Sequence, residues 1–212
     1  MEEIVLIGGG DHARVVLGIL KKLNRYRIVG YTDVKNTSSL PGVTYLGNDE
    51  ALAEVARKQN DLCAVLTVGQ TGLGTQRCKL WSDLAGMRLA FPALVSPNAI
   101  VNEGVTIGEA AVVMDGAVIN CGAAIGRGAI VNTNSTVEHD VSLADWVHVA
   151  PGATICGGSR IGRFSMVGAG ATIIQGIEIA EGCLVGAGAT VVKNLNEAGI
   201  YAGCPARRIR KV

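Results

Sequence analysis

The sequence predicts a small α/β domain over residues 1–94, followed by a parallel β-helix over residues 95–212. Three observations carry this. The first part alternates short apolar runs with helical patterns. The second repeats every six residues from Ala99 to Leu195. Aromatic residues make up only 4% of the chain while glycine supplies 29 of its 212 residues, so the core must be built from small and aliphatic side chains packed repetitively.

In the first part, Ile4–Ile7 reads as a buried strand that ends at Gly8-Gly9-Gly10. Val15, Val16, Ile19, Leu20 and Leu23 then recur at helical spacing. Arg27–Tyr31 reads as a second strand, Ala51–Lys58 as a helix, Leu62–Val68 as a third strand and Gln76–Leu84 as a helix. Alternating strands and helices imply about three parallel strands with covering helices. Pro92 and Pro97 bracket the junction.

In the second part, nearly every sixth residue from Ala99 is small or β-branched. Two places further on, all sixteen residues from Val101 to Val191 are Ile, Val or Leu. A period of six does not match the 3.6-residue stripe of a helix. It suits short strands joined by tight corners, with two inward positions that are two apart. Three strands close a triangular coil of 18 residues, so residues 18 apart stack about 4.8 Å from each other.

Composition excludes several classes. A formal charge of +1 gives no field that would draw nucleic acid or an anionic membrane. Cys63, Cys78, Cys121, Cys156, Cys183 and Cys204 form no zinc-ligand spacing. They read as reduced thiols used as small apolar residues. The start, MEEIVLIGGG, has no basic leader, and no stretch nears the roughly 18–20 apolar residues of a membrane span. The expectation is a cytoplasmic protein.

Gly8-x-Gly10-x-x-Ala13 follows a strand and opens a helix, with Asp33 about twenty residues on. This is the Rossmann-like dinucleotide fingerprint. It places phosphate at a helix N-terminus and an acid where ribose or base would lie. With half the strands of a full dinucleotide fold, the domain suits a single nucleotide, such as a nucleoside diphosphate on a sugar. The glycines alone would also serve a tight turn. His12, in the first helical turn, is either a substrate contact or an ordinary exposed residue.

His139 falls at or beside a corner of the β-helix, between Glu138 and Asp140. A carboxylate beside an imidazole fixes its tautomer and raises its basicity, as a general base requires. One coil on stands Gly157, followed by Gly158; one coil back stands Cys121. An unobstructed Gly157 N–H could receive an oxyanion. Gly168 and Gly186 are 18 apart, as are Gly170 and Gly188. Stacked, they would form a groove for a thin chain such as pantetheine, or they serve corner geometry alone. The basic tail from Arg207 could meet CoA phosphates or remain solvated.

Together GGGDHA, NTNSTVEHD (Asn132–Asp140), His148 and GCPARR resemble the NeuD/PglD-type sugar O/N-acetyltransferases of the hexapeptide-repeat superfamily. The resemblance covers nearly the whole chain. It implies a left-handed β-helix and a homotrimer with sites between subunits. Acetyl-CoA would be the cosubstrate, with no metal, and a nucleotide-linked sugar the acceptor. It implies His139 as base with Asp140 orienting it, although related enzymes often carry the longer Glu there. Gly157 would bind the thioester oxygen, and Asn132 would lie near the substrate. His148 would face acetyl-CoA from a neighbouring subunit, with Gly168, Gly170, Gly186, Gly188, Pro205 and Arg207 along the cofactor. Gly8, Gly10, His12, Asp33, Gly69 and Gln70 would line the sugar-nucleotide site. The expected reaction is N-acetylation of a UDP-linked 4-amino-dideoxy sugar for surface glycans, with O-acetylation of sialic acid or another sugar as the alternative. Two other classes compete. A metal hydratase on the same β-helix needs three histidine ligands, and the repeat supplies two. A non-catalytic sugar-nucleotide-binding trimer would have no use for the His139–Asp140 corner.

Overall fold

The computed structural model describes residues 1–36, 40–59 and 61–211. Val212, where the expected second domain ends, lies outside them. Near the N-terminus a parallel sheet in the order β3-β2-β1-β4 is formed by β1 (Glu2–Ile7), β2 (Tyr26–Thr32), β3 (Tyr45–Gly47) and β4 (Cys63–Leu66). The helices are α1 (Asp11–Leu23), α2 (Asp49–Lys58) and α3 (Thr75–Leu84). Strand alternation divides β1 between two cores. Ile4 and Leu6 pack with Ala13, Val16 and Leu20 of α1, while Val5 and Ile7 pack with Leu52, Leu62 and Leu84. Helix α1 ends on Asn24 in the left-handed conformation, φ 48°. Asn48 caps α2 by accepting from the Glu50 and Ala51 backbone N–H groups. The sheet has four strands where about three are expected. The extra one, β3, is a three-residue edge strand ending in glycine, too short to show alternation.

Residues 94–210 wind as a left-handed parallel β-helix of three faces. Face one runs Leu94–Val95, Val112–Val113, Ile130–Val131, His148–Val149, Met166–Val167 and Cys183–Val185, and then Gly199–Ala202. Face two carries the pairs from Ile100–Val101 to Thr190–Val191, and face three those from Thr106–Ile107 to Glu178–Ile179. Up to Thr190–Val191 each strand pairs in register with the one 18 residues before it, as Thr154 does with Thr136, while the last step of face one, from Cys183 to Gly199, is 16 residues. The aliphatic column is buried from Val113 to Val191, and only its first two members, Val101 and Ile107, are partly open. An antiparallel strand, Arg207–Arg210, closes face one.

The corner residue takes φ between 55° and 73° in every repeat from Gly104 to Gly188. Ten of these fifteen corners are glycine; the others are Ala110, Asn134, Asp140, Trp146 and Phe164. Glycines two places earlier meet a different need. A methyl group at Gly126 would lie 2.5 Å from the Ala144 carbonyl carbon of the next coil. Those positions are small because the coils stack so closely.

The N-terminal elements rest on face one and on the edge joining face three to face one. Trp146, on that edge, is 2% exposed and lies 6.0 Å from the Trp81 ring of α3. Gly74 approaches so closely that a methyl group there would sit 2.3 Å from the Trp146 carbonyl oxygen. Among the described residues, no helix is long and apolar enough to cross a membrane.

Candidate active site

His139 follows the face-two strand Thr136–Val137, so it occupies the edge between faces two and three. Asp140 takes the left-handed corner, φ 58°, and its N–H bonds the Cys121 carbonyl one coil back at 3.0 Å. This turn directs the short Asp140 carboxylate at its neighbour, and His139 Nδ1 lies 2.9 Å from Asp140 Oδ2. Nδ1–H donates to the carboxylate, so Nε2 carries the lone pair. The Asp140 bond, and then the charges of Asp140 and Glu138, hold the imidazole above its ordinary pKa. Both side chains are exposed. One coil on, Gly157 lies beneath the ring: a methyl group there would stand 2.5 Å from Nε2. The Gly158 N–H donates to the His139 carbonyl at 2.9 Å. His139, Asp140 and Gly157 are therefore brought together. A ladder runs into the same edge, from Asn102 Nδ2 to Asn120 Oδ1 at 2.6 Å and from Asn120 Nδ2 to Glu138 Oε2 at 3.0 Å.

A second edge, between faces one and two, gathers the expected cofactor residues. Gly168 and Gly186 turn out to be coil-stacking positions; a methyl group at Gly168 would meet Ala187 N at 2.6 Å. Gly170 and Gly188 have open space above them. The Cys204–Pro205 segment folds over the end of this edge, where the Thr190 N–H bonds the Gly203 carbonyl. Arg207 is exposed just beyond. Asn132 lies on the same edge, 36 residues before Gly168.

The third cluster lies where the N-terminal sheet meets face one. Gly8, at φ 112°, makes the turn after β1. Gly10 precedes α1 with no side-chain cap. Asp33 accepts from the Gly9 N–H at 2.7 Å and from the Val34 N–H at 2.7 Å. It thus places a carboxylate on the glycine turn where the fingerprint expects phosphate. Gly69 lies against His12, 3.4 Å from its Cβ to an added methyl group. Gln70 is 6% exposed. Its side-chain amide donates to the Gly72 and Trp146 carbonyls, and its backbone carbonyl accepts from His148 Nδ1 at 2.8 Å.

His148 is 6% exposed, and its second nitrogen, Nε2, lies 3.1 Å from Asn132 Nδ2. Its two ring nitrogens thus link the Gln70 loop to Asn132 on the edge between faces one and two. Burial, opposed by the Gln70 bond and assisted by the Arg77 charge, pushes its pKa down to about 4. His12 is likewise pushed down to about 4, by burial first and then by Arg77 and His148. Sequence reasoning missed Arg77, which is 1% exposed and donates from Nη1 to the Gly128 carbonyl at 3.0 Å. Its position within a helical pattern gives no sign of burial, which arises from docking onto a coil 51 residues away. The three-ligand cluster a metal hydratase requires is not found among the described residues.

Such a β-helix, with a histidine–carboxylate pair on one edge and a nucleotide-type sheet on one face, defines a transferase of the hexapeptide-repeat class. A family profile described as the PglD N-terminal domain matches residues 3–73. One described as bacterial transferase hexapeptide (six repeats) matches residues 158–193. The acetyltransferase domain of PglB from Neisseria gonorrhoeae is 31% identical. That likeness covers 99% of this chain and 100% of the other, with a TM-score of 0.89. A variant of GDP-perosamine N-acetyl transferase from Caulobacter crescentus, solved with CoA and GDP-perosamine, is 30% identical over 98% of this chain and 97% of its own, with a TM-score of 0.92. WeeI from Acinetobacter baumannii shares the fold at 24% identity over 99% of this chain and 100% of its own, TM-score 0.82. No curated protein matches significantly in sequence. The chain belongs to the PglD-type sugar acetyltransferases of the hexapeptide-repeat superfamily.

Proposed function

We propose that the protein transfers an acetyl group from acetyl-CoA to the amine of a nucleotide-linked 4-amino-dideoxy sugar, with His139 as general base. The observation that carries this is the His139–Asp140 pair at 2.9 Å over the open Gly157. The neutral amine attacks the thioester carbonyl and forms the C–N bond. His139 Nε2 takes the amine proton. The Gly157 N–H, which has no hydrogen-bond acceptor among the described residues, faces the oxyanion. Collapse breaks the C–S bond, and the imidazolium returns its proton to the departing thiolate. Amide and free CoA thiol are the products. No acyl-enzyme is required.

The pair and the glycine edge lie on opposite borders of face two. About six residues of near-extended chain separate them, roughly 15–20 Å. A thioester lying along Gly170 and Gly188 cannot reach His139 of the same chain. A second copy must supply one of the two edges. We read the assembly as a homotrimer with the site between protomers, the domains as 1–94 for the sugar nucleotide and 95–212 for acetyl-CoA, and glycan biosynthesis in the cytoplasm as the setting.

The test is thiol release from acetyl-CoA across a panel of nucleotide-linked amino sugars. UDP-linked sugars are the first expectation, and GDP-linked ones join them because the Caulobacter enzyme was solved with GDP-perosamine. Turnover with an amino sugar, lost with its 4-hydroxy counterpart, supports the reading. A panel with no turnover removes it.

A further inference from the structure

Glu138 is the acid beside the base that the reaction above leaves idle. It is half-buried, and its charge reaches the His139 imidazole. Its Oε2 is fixed by Asn120, whose Nδ2 donates to it at 3.0 Å. Asn120 is itself turned by the coil before, where Asn102 Nδ2 donates to Asn120 Oδ1 at 2.6 Å. With its oxygen occupied, the Asn120 amide has only its NH2 to offer the next coil. Each rung spans 18 residues, so the ladder follows the stride of the β-helix. It ends on a carboxylate, which can only accept.

The ladder holds this carboxylate without neutralising it, because amides supply hydrogen bonds and no charge. Among the described residues no Lys or Arg pairs with Glu138, and its Oε1 has no hydrogen-bond donor. One coil on, the column continues with Cys156 and then Ile174, neither of them charged. The Asp140 carboxylate, by contrast, is engaged with His139 Nδ1. Two acceptors therefore stand at neighbouring positions, Glu138 Oε1 and His139 Nε2. A primary amine carries two N–H bonds when neutral and three when protonated. Once neutral, it can serve both acceptors and still present its lone pair to a thioester. A hydroxyl has one hydrogen and can serve only one of them. It is also uncharged, whereas a primary amine such as that of lysine, with a pKa of about 10.4, reaches the site as an ammonium. Charge-assisted bonds to a carboxylate are the stronger kind.

We propose that Glu138, clamped by Asn120 and Asn102, is the specificity-determining residue that selects a primary amine over a hydroxyl acceptor. Its Oε1 accepts from the acceptor nitrogen, and Asn120 is a positioning residue that acts through it. This role rests on the acetyl transfer proposed above and names the group that recognises its acceptor. No proton passes to Glu138. The ammonium sheds one proton to water before attack, and the second goes to His139.

The experiment is steady-state kinetics of the full-length protein with acetyl-CoA and an amino sugar that turns over, with its 4-hydroxy counterpart as competitive inhibitor. In Glu138→Gln the side-chain carbonyl stays on Asn120 and an NH2 replaces Oε1, so an acceptor becomes a donor. KM for the amino sugar should rise about ten- to a hundredfold, the range of a lost charged hydrogen bond. KM for acetyl-CoA and the inhibition constant of the 4-hydroxy sugar should change little. Glu138→Asp, which keeps the charge, should recover part of the loss. Asn120→Ala should raise the amino-sugar KM several-fold alone and add little in the Glu138→Gln background. Both residues lie outside the inward columns, so melting temperatures should hold. An amino-sugar KM unchanged in Glu138→Gln overturns the proposal and leaves the transfer standing. Equal losses for the amino sugar and the 4-hydroxy inhibitor overturn it too, since Glu138 would then hold the sugar and not distinguish its nitrogen. Full additivity of the two substitutions removes the role of Asn120. Wild-type protein that turns over no amino sugar, or a hydroxyl sugar equally well, sinks the transfer to an amine and this proposal with it.

Discussion

Asp140 does two jobs from one backbone conformation. Its left-handed φ turns the corner, and the same turn brings a short carboxylate to His139 Nδ1. His139→Ala is expected to lower kcat in the thiol-release assay by about 10²–10⁴-fold, with little change in acetyl-CoA affinity. Asp140 raises the His139 pKa, and the proposed base must be neutral to act. Activity therefore falls as pH drops through that raised value. Asp140→Asn removes the raising charge, so the acidic limb of the pH–rate profile should move to lower pH while the plateau falls. A limb that stays in place would separate Asp140 from the proton. Gly157→Ala puts a carbon 2.5 Å from Nε2 and must displace the ring. Turnover should fall steeply, with the melting temperature nearly unchanged, because φ at Gly157 suits any residue. The pair and its glycine were legible in the sequence because an 18-residue period converts spacing into adjacency. Arg77 and the inward engagement of His148 were not, since both depend on how a separate set of elements docks on the prism.

At the level of elements, the aliphatic column carries the β-helix. Ile155 is fully buried amid this column, and Ile155→Ala should cost about 2–5 kcal/mol in chemical denaturation. Period six announced these strands without ambiguity, since each step repeats one physical demand. The short edge strand β3 went unread because three residues hold no periodicity. The corner glycines were only half legible. Sequence spacing marked the positions just after the aliphatic residue, whereas the left-handed residues lie two places further on and include Trp146 and Phe164. Bulky residues rarely adopt that conformation. Here Trp146 is anchored against Trp81 and Gly74, so packing outweighs the backbone preference.

Across the whole molecule, His148 links the β4–α3 loop to Asn132 on the β-helix. It and His12 have folded pKa values near 4 against an ordinary 6.5. Between those values the unfolded chain binds protons that the folded chain refuses. Stability should therefore fall as pH drops from about 6.5 towards 4 and level off below, by at most about 3 kcal/mol per histidine. Asp115, bonded to Lys22 and Ser96, has a lowered pKa instead. It stabilises above its unfolded value of 3.8 and loses that effect only in stronger acid, so the two windows separate. Denaturant titration at several pH values checks this. A His148→Asn variant should flatten the slope above pH 4.

Because coil pairs with coil at a fixed stride, chain length in residues 94–191 is quantised. Adding or removing one residue would send every later inward side chain to the solvent side. Adding or removing 18 would leave all three walls matched and only shorten or lengthen the prism. Relatives that differ in reach along the axis are expected to differ by whole coils, with stray insertions confined to the edges.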